Sequence, residues 1–461
     1  MYNVLIRPLK REDALISYQW RNDPDIWKFT GHRPDKIITQ EIELDWIQRV
    51  LNEKDSCRFA ILVDNIYIGN IQITNITLEE EGEYHIFIGE KDYWGKGIAS
   101  LATWQLLRYA KERLNLKRLY LFVNPLNKPA IKVYERCGFI KVSDKIKMVF
   151  DLSRDLRPTV SVFMITYNHE AYIRQAVESI LCQKTNFDFD IVIGEDCSTD
   201  STRSIVMSIA DQYPGKFKLL LHEKNIGAMA NQMAVFSACT GKYVAMCEGD
   251  DYWADPLKLQ KQVDFLEANP GFVFSFHDSC ILNQKTGEKR NRIGERNIDS
   301  TVDLKSLIIQ KNIATASLVF RNIIDFHSLP DWFSKISKGD YGLCVLLAEN
   351  GPGKYLPGVM SVYRVHDGGV WSSSGFEFTK NADLSFFKYL LQYFDNQALK
   401  KTISAKLKWT RFNYGISHIR QGRLIKGLFL AVANIRLTGD PRLRTPPRKI
   451  ASALKSRLIS A

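Results

Sequence analysis

The chain lacks the marks of an oxidising or membrane-spanning environment. Its eight cysteines, Cys57, Cys137, Cys182, Cys197, Cys239, Cys247, Cys280 and Cys344, include no C-x-x-C pair. A zinc site or a disulfide framework is therefore poorly supported, and free, buried thiols in a reducing compartment are expected. No run approaches the roughly 18 apolar residues that a membrane span needs. The longest in the tail, Gly427 to Ala433, has seven. The opening MYNVLIRPLKRED reaches charge too soon for a secretory signal. Internal repeats and low-complexity tracts are missing as well. A cytosolic protein is expected, touching the inner face of a membrane at most. Acids are scarce in one place only. From Lys400 to Ala461 there are fifteen Lys or Arg and a single acid, Asp440, a charge of +14 within a whole-chain charge of +12. Any partner chosen by charge should dock on that tail.

What is present is an ordinary globular composition: 461 residues, 45% apolar, 25% charged and 11% aromatic. At roughly 150 residues per domain this predicts about three domains. The first part opens with a strand at Val4–Arg7 and a helix near Asp13–Trp20. Strands follow at Arg58–Asp64, Ile66–Ile73 and Tyr84–Gly89. Then YWGKGIASLATWQLLRYAKERL runs from a glycine turn into an amphipathic helix. A strand at Arg118–Val123, a helix at Lys128–Arg136 and a strand near Lys145–Phe150 complete it. The polar SRDLRP, Ser153–Pro158, reads as a boundary. The second part alternates strands (TVSVFMITYN, Ile191–Glu195, Phe217–His222, Tyr243–Cys247) with helices (Ala171–Cys182, Thr199–Tyr213, Met229–Ala238). That alternation predicts a largely parallel, doubly wound α/β sheet. Asn283–Ser300 reads as loop, and the chain beyond Gly375 as helical and basic.

In YWGKGIA, Gly95 and Gly97 permit a tight turn that aims successive N–H groups at one point, and the helix behind adds its positive end. Such a cradle suits a diphosphate. With VNPLNKPAIKVYERCGF downstream, nearly all of residues 1–150 resembles the GNAT superfamily of acetyl-CoA-dependent N-acetyltransferases. The resemblance implies that Gly95, Lys96, Gly97, Ile98 and Ala99 bind the acetyl-CoA pyrophosphate. It also implies that Asn127 contacts the pantetheine region and that Tyr134 protonates the leaving thiolate. Asp92 stands where the family motif has Gln or Arg. WRND, Trp20–Asp23, resembles the subgroup acting on nucleotide-linked amino sugars. Strand alternation places Glu83, His85 and Phe87 on one face, so Glu83 or His85 is a candidate base, working through water.

In the second part, acidic residues cluster where strands end, the place where open α/β sheets bind ligands. Thr166, Tyr167, Asn168 and Glu170 follow the first strand. Glu195 and Asp196 end the second, and Glu248, Asp250 and Asp251 end the fourth. Such clusters suit a divalent cation holding a diphosphate. Asp255 and Pro256 read as N-cap and first residue of a helix with Leu259, Val263 and Leu266 inside. Residues 158–370 resemble glycosyltransferase family 2, with the GT-A fold. The resemblance implies inverting transfer from a nucleotide sugar, with Asp196 at the base or ribose and Thr166, Tyr167, Asn168, Glu170 and Asn225 beside it. The D-x-D motif is EGDD here. Asp250 is the expected ligand of Mn²⁺ or Mg²⁺, with Glu248, Asp251 and His366 as further ligands. Asp340, in SKGDYGLCVLLAENG, would be the general base. Arg364 and His366, in YRVHDGGVWS, would lie near the donor phosphates.

In the tail, Leu424, Ile425, Leu428, Phe429, Val432 and Ile435 form an apolar arc of a helix, with Arg423 and Lys426 opposite. Two readings stand: a helical bundle packed on the chain with its cations solvated, or contact with an anionic membrane near a lipid-linked acceptor. Nucleic acid is not expected, because no recognition module accompanies the charge. The whole reads as an N-acetyltransferase domain (1–156), a glycosyltransferase domain (158–370) and a helical basic region (375–461). The first domain would acetylate an amino sugar, and the second would transfer a sugar to a glycan or lipid-linked saccharide. Alternatively, the first domain acts on protein N-termini or only binds acyl-CoA, or the whole chain is a carbohydrate-binding scaffold.

Overall fold

The computed structural model describes residues 1–29, 36–142, 147–153, 156–294, 300–310, 313–369, 375–434 and 448–459. Parts of the expected SRDLRP boundary, of the Asn283–Ser300 loop and of YRVHDGGVWS lie outside these residues, as do Lys145 and, in the tail, Ile435. By compactness the chain divides into two units, Met1–Ile226 with Ala234–Val263, and Gly227–Met233 with Asp264–Ala461. That division falls inside the second of the three parts read from the sequence.

The first unit begins with strand β1 (Val4–Pro8), helix α1 (Ala14–Asn22) and helix α2 (Gln40–Val50). The Thr39 hydroxyl caps α2 by accepting from Ile42 N. Strands β2 (Cys57–Val63), β3 (Ile66–Thr74) and β4 (Glu81–Ile88) follow, then helix α3 (Ile98–Glu112), strand β5 (Arg118–Phe122), helix α4 (Lys128–Cys137), and strands β6 (Ile140–Lys141) and β7 (Lys147–Asp151). The sheet order is β1-β2-β3-β4-β5-β7-β6. Asp64 and Asn65, both with positive φ, form the two-residue turn joining β2 and β3. β4 and β5 are the parallel pair, and they match over only three residues, Glu81–Glu83. Beyond Glu83 they part, and this opening positions the first site. The sequence reading omitted α2 and β6.

The same unit continues with β8 (Val160–Thr166), α5 (Ile173–Leu181), β9 (Phe189–Glu195), α6 (Thr202–Gln212), β10 (Phe217–Leu221), α7 (Ala228–Ala238), β11 (Tyr243–Met246), the short β12 (Tyr252–Trp253) and α8 (Lys258–Ala268), of which α7 and α8 straddle the two units. β10, β9, β8 and β11 lie in that order, all parallel. β8, β9 and β11 are buried almost throughout, as expected for largely apolar strands of a parallel sheet. The helix expected to start at Pro256 starts at Lys258. The Asp255 carboxylate instead accepts from Leu257 N at 2.8 Å in the turn ahead of it. Leu259, Val263 and Leu266 are buried as expected. The two sheets of this unit are joined through α3. Arg108, 3% exposed, makes a bidentate ion pair with Asp188 and donates Nε to the Gly215 carbonyl at 2.7 Å.

The second unit holds β13 (Phe274–Asn283), β14 (Lys289–Asn291), β15 (Thr301–Val302), α9 (Leu304–Ile309), β16 (Val319–Arg321), α10 (Gly339–Asn350) and β17 (Gly353–Val365). β13 pairs β17 in parallel and β16 and β14 antiparallel, and β15 is antiparallel to β17. Among the described residues four helices follow: α11 (Phe376–Tyr393), α12 (Gln397–Arg420), α13 (Leu424–Val432) and α14 (Arg448–Ile459). Of the apolar arc read for the tail helix, Leu428 packs inward, but most of the described arc is not the inner side. α13 meets α12 through small residues: a Cβ on Gly427 would lie 2.7 Å from Ile419 N and 2.8 Å from Gly415 O. Ala431 is fully buried, while Ile425 (88%), Phe429 (76%) and Val432 (56%) are exposed. Among the described residues, no helix is long and apolar enough to cross a membrane. All eight cysteines are free. Four are buried, but Cys182 is exposed and Cys57, Cys197 and Cys280 are half-buried, fewer buried than expected.

Candidate active sites

The first site lies around the opening between β4 and β5. Gly95 (φ +72) and Gly97 (φ +80) turn the chain into α3, and Gly97 is its N-cap. Both conformations favour glycine, and a Cβ on either would meet no atom within 4 Å. The turn with Lys96 thus lies open at a helix N-terminus, an arrangement that suits a pyrophosphate. Ile98 is buried and anchors the first turn of α3, while Ala99 continues it. Asn127 caps α4, its side-chain oxygen accepting from Ala130 N at 3.2 Å. That leaves the Asn127 amide N–H₂ for a ligand. Tyr134 on α4 is 9% exposed, and burial pushes its pKa up to about 12, so it keeps its proton at neutral pH.

On β4, Gly82 and Tyr84 turn inward while Glu83 and His85 turn outward. His85 Nε2 is 2.9 Å from the Thr74 hydroxyl and 3.6 Å from Glu83 Oε1. Burial lowers the His85 pKa against the pull of Glu83, with Arg58 lowering it further. The ring is therefore neutral at neutral pH and able to take a proton. Glu83 also accepts from Asn75 Nδ2 at 2.8 Å, a bond that fixes the carboxylate beside the imidazole.

A second group of candidate residues lies in the first unit, at the ends of β8, β9 and β11. Asp196 N donates to Thr166 O at 3.1 Å, and Gly249 N to Ile165 O at 3.0 Å, so the three strand ends are stitched together. Gly249 must be glycine, because a Cβ there would lie 2.6 Å from Thr166 Oγ1 and 2.9 Å from His169 Nδ1. Asp196 is 2% exposed, and its Oδ1 accepts from Ile226 N at 2.7 Å, tying in the loop that carries Asn225. Asn168 and Glu170, in the loop after β8, latch that loop to the one after β9. Asn168 Oδ1 accepts from Thr199 N at 2.8 Å, and Glu170 Oε2 from Ser201 N at 2.9 Å. Tyr167, just ahead of Asn168, is 41% exposed.

Sequence reasoning passed over His169. Its Nδ1 is 3.2 Å from the Thr166 hydroxyl, and its Nε2 is 3.8 Å from Asp250 Oδ2. The signal was its place in YNHEAY, between two residues already singled out. Of the EGDD acids, Asp251 is 1% exposed while Glu248 and Asp250 are half-buried. Among the described residues no group of three or more His, Cys, Asp or Glu converges as a metal site. Glu248 and Asp250 are the half-buried carboxylates at this strand end, and a magnesium-type ion commonly takes one or two carboxylates and completes its shell with phosphates and water. In the second unit, Asp340 lies in the first turn of α10. Arg364 is the penultimate residue of β17 and His366 follows the strand, 4% and 8% exposed.

Residues 161–326 match the profile of glycosyl transferase family 2, and residues 3–140 that of the acetyltransferase (GNAT) domain. An uncharacterised protein of Mycobacterium tuberculosis is 36% identical over 215 residues, which are 47% of this chain and 61% of that protein. The chain thus spans about three fifths of that relative's length. TuaG of Bacillus subtilis, a glycosyltransferase provisionally assigned to teichuronic acid biosynthesis, is 30% identical over 203 residues, 42% of this chain and 79% of TuaG. Spermidine N(1)-acetyltransferase of Escherichia coli is 24% identical over 181 residues, 39% of this chain and 95% of that enzyme. The chain therefore belongs to glycosyl transferase family 2, and it carries a GNAT acetyltransferase domain ahead of the glycosyltransferase domain.

Proposed function

We propose a bifunctional transferase of surface-glycan synthesis, with the domains bounded as read above: 1–156, 158–370 and 375–461. Its GNAT domain moves an acetyl group from acetyl-CoA to the amine of a nucleotide-linked amino sugar. Its second domain transfers a sugar, with inversion, from a nucleotide sugar to a glycan or lipid-linked acceptor. The observation that carries the reading is the presence in one chain of an open glycine cradle at the head of α3 and of half-buried carboxylates at the ends of parallel strands. Tandem placement would raise the concentration of the acetylated product near the next enzyme site.

In acetyl transfer, His85 takes the amine proton directly or through water, with Glu83 orienting it. Tyr134 donates to the departing sulfur; its raised pKa makes it a hydrogen-bond donor that seldom ionises. In sugar transfer, Asp196 and the Thr166–Glu170 loop hold the nucleotide, and Asp340 takes the acceptor hydroxyl proton. Arg364 and His366 bind phosphate oxygens. A Mn²⁺ or Mg²⁺ ion at Asp250 and Glu248 would offset charge on the leaving diphosphate. The outward apolar face of α13 supports peripheral contact with the inner face of an anionic membrane.

The test is a crossed pair of variants in the full chain. Asp250→Ala should cut sugar transfer by about 10²-fold or more and leave acetyl transfer intact. Tyr134→Phe should do the reverse, lowering acetyl transfer about tenfold or more. Amine acceptors should include a nucleotide-linked amino sugar, an N-terminal peptide and spermidine. Acetylation of the peptide or of spermidine in preference to the sugar would replace the amino-sugar reading. Asp250→Ala and EDTA both leaving sugar transfer unchanged would remove the metal.

A further inference from the structure

The C-terminal helices border a cavity of about 300 Å³ in the second unit that no residue assigned so far occupies. Its walls come from the start of α10, from α11 and from one face of α12. Lys406, Trp409, Thr410, Asn413, Tyr414 and Ser417 recur at helical spacing on α12 and all border the cavity. A stripe with that spacing and that position is ordinarily aliphatic. Here it combines aromatic rings with polar groups, the mixture typical of small-molecule sites.

The charges are uneven. Asp383 is held by an ion pair with Lys338 and accepts from the Tyr414 hydroxyl at 2.6 Å. Lys406 lies apart from that carboxylate's bonds. Its ammonium spends one N–H on the Ile309 carbonyl at 2.7 Å and stands 4.2 Å from the centre of the Trp409 ring. Burial lowers its pKa to about 8, the mark of an ammonium short of compensation. Two ammonium groups thus face one carboxylate, beside an indole. The volume is at the small end of ligand sites, enough for one or two sugar rings.

We infer that this cavity is an acceptor subsite for an anionic sugar residue, its ring against Trp409 and its carboxylate or phosphate on Lys406. The inference rests on the reading of Asp340 as base, because Lys338 and Tyr341, both in the cavity wall, bracket Asp340 at the start of α10. A sugar seated there lies against the turn that carries the base. These helices lie beyond residues 161–326, the part matched by the family profile, so the subsite would set acceptor choice for this chain in particular.

The test is calorimetric titration of the full chain, without nucleotide sugar, using methyl glucuronide, glucose 6-phosphate, methyl glucoside and inorganic phosphate. At least one anionic sugar should bind about tenfold tighter than the glucoside, a difference of about 1.4 kcal/mol. Whichever anionic sugar wins identifies the source of the charge. Lys406→Met should erase the preference, and Trp409→Leu should weaken every sugar probe. Equal binding of charged and neutral sugars overturns the subsite, and so does inorganic phosphate binding as tightly as the sugar phosphate. The probe comparison on the unaltered chain decides this even if Lys406→Met fails to fold. Because no donor is present, these outcomes are independent of the base. Asp340→Asn transferring sugar at the full rate would refute the base instead, whatever the titrations show.

Discussion

Helices α3 and α13 treat their side chains in opposite ways. α3 buries Arg108 and Gln105, at 3% and 1% exposure, and leaves neither unsatisfied. Gln105 accepts from Ile6 N at 3.1 Å and donates to Val4 O at 2.9 Å, while Arg108 grips Asp188 and Gly215 O. α13 leaves Ile425 and Phe429 largely in solvent and turns Gly427 and Ala431 inward. A buried cation is tolerable only with its partner in place, so the Arg108 seam identifies a contact made within the chain. A row of exposed apolar side chains gains nothing from water, so the outward face of α13 suits a partner outside the chain.

The sharpest way to break this comparison is to remove one half of the seam. Arg108→Met leaves the Asp188 carboxylate, 9% exposed, without its cation. The expected loss is about 3–5 kcal/mol of stability, read as a lower denaturant midpoint in urea. Adding Asp188→Leu should recover part of it, since it removes the orphaned carboxylate while the Gly215 carbonyl still lacks the Arg108 donor. A single variant that loses less than about 1 kcal/mol would place the seam among exposed pairs of little worth.

These two helices also show what the sequence made legible. Local signals survived folding. The glycines of YWGKG form the turn because only positive φ closes it, and the acids of EGDD stand at a strand end because β11 stops there. Contacts between distant residues did not show. Arg108 in QLLRYAKERL looks like a solvated cation, and its role depends on Asp188, 80 residues away. His169 gains meaning only when β11 brings Asp250 to 3.8 Å. The tail arc was visible as apolar, but hydropathy cannot say which side packs. Glycine does so here, because two helix backbones can approach closely only where side chains are missing.

That last point yields the intermediate prediction. Gly427→Ala adds one methyl group whose carbon would sit 2.7 Å from Ile419 N and 2.8 Å from Gly415 O. Both neighbours are backbone atoms, so the helices must part. The expected cost is about 1–3 kcal/mol, measured by thermal unfolding. An unchanged midpoint would mean that α13 is not seated on α12 through this face, and the contrast with α3 would fail.

The smallest effect on stability, and the one most informative about the outward face, is Phe429→Ser. The side chain is 76% exposed, so its loss should change stability by no more than about 0.5 kcal/mol. Membrane contact should respond where stability does not. Each Lys or Arg near an anionic surface contributes about 1 kcal/mol, and that attraction fades as the Debye length falls to roughly 3 Å at 1 M salt. Apolar burial does not fade in this way. The unaltered chain should therefore sediment with anionic liposomes at low salt, stay partly bound at high salt and ignore neutral liposomes. Phe429→Ser should keep the low-salt binding and lose the high-salt remainder. Removing residues 440–461, which carry six Lys or Arg and one acid, should do the opposite and weaken mainly the low-salt binding. If the unaltered chain stays in the supernatant with anionic liposomes at low salt, the face of α13 does not serve a membrane, and its exposed side chains call for a protein partner instead.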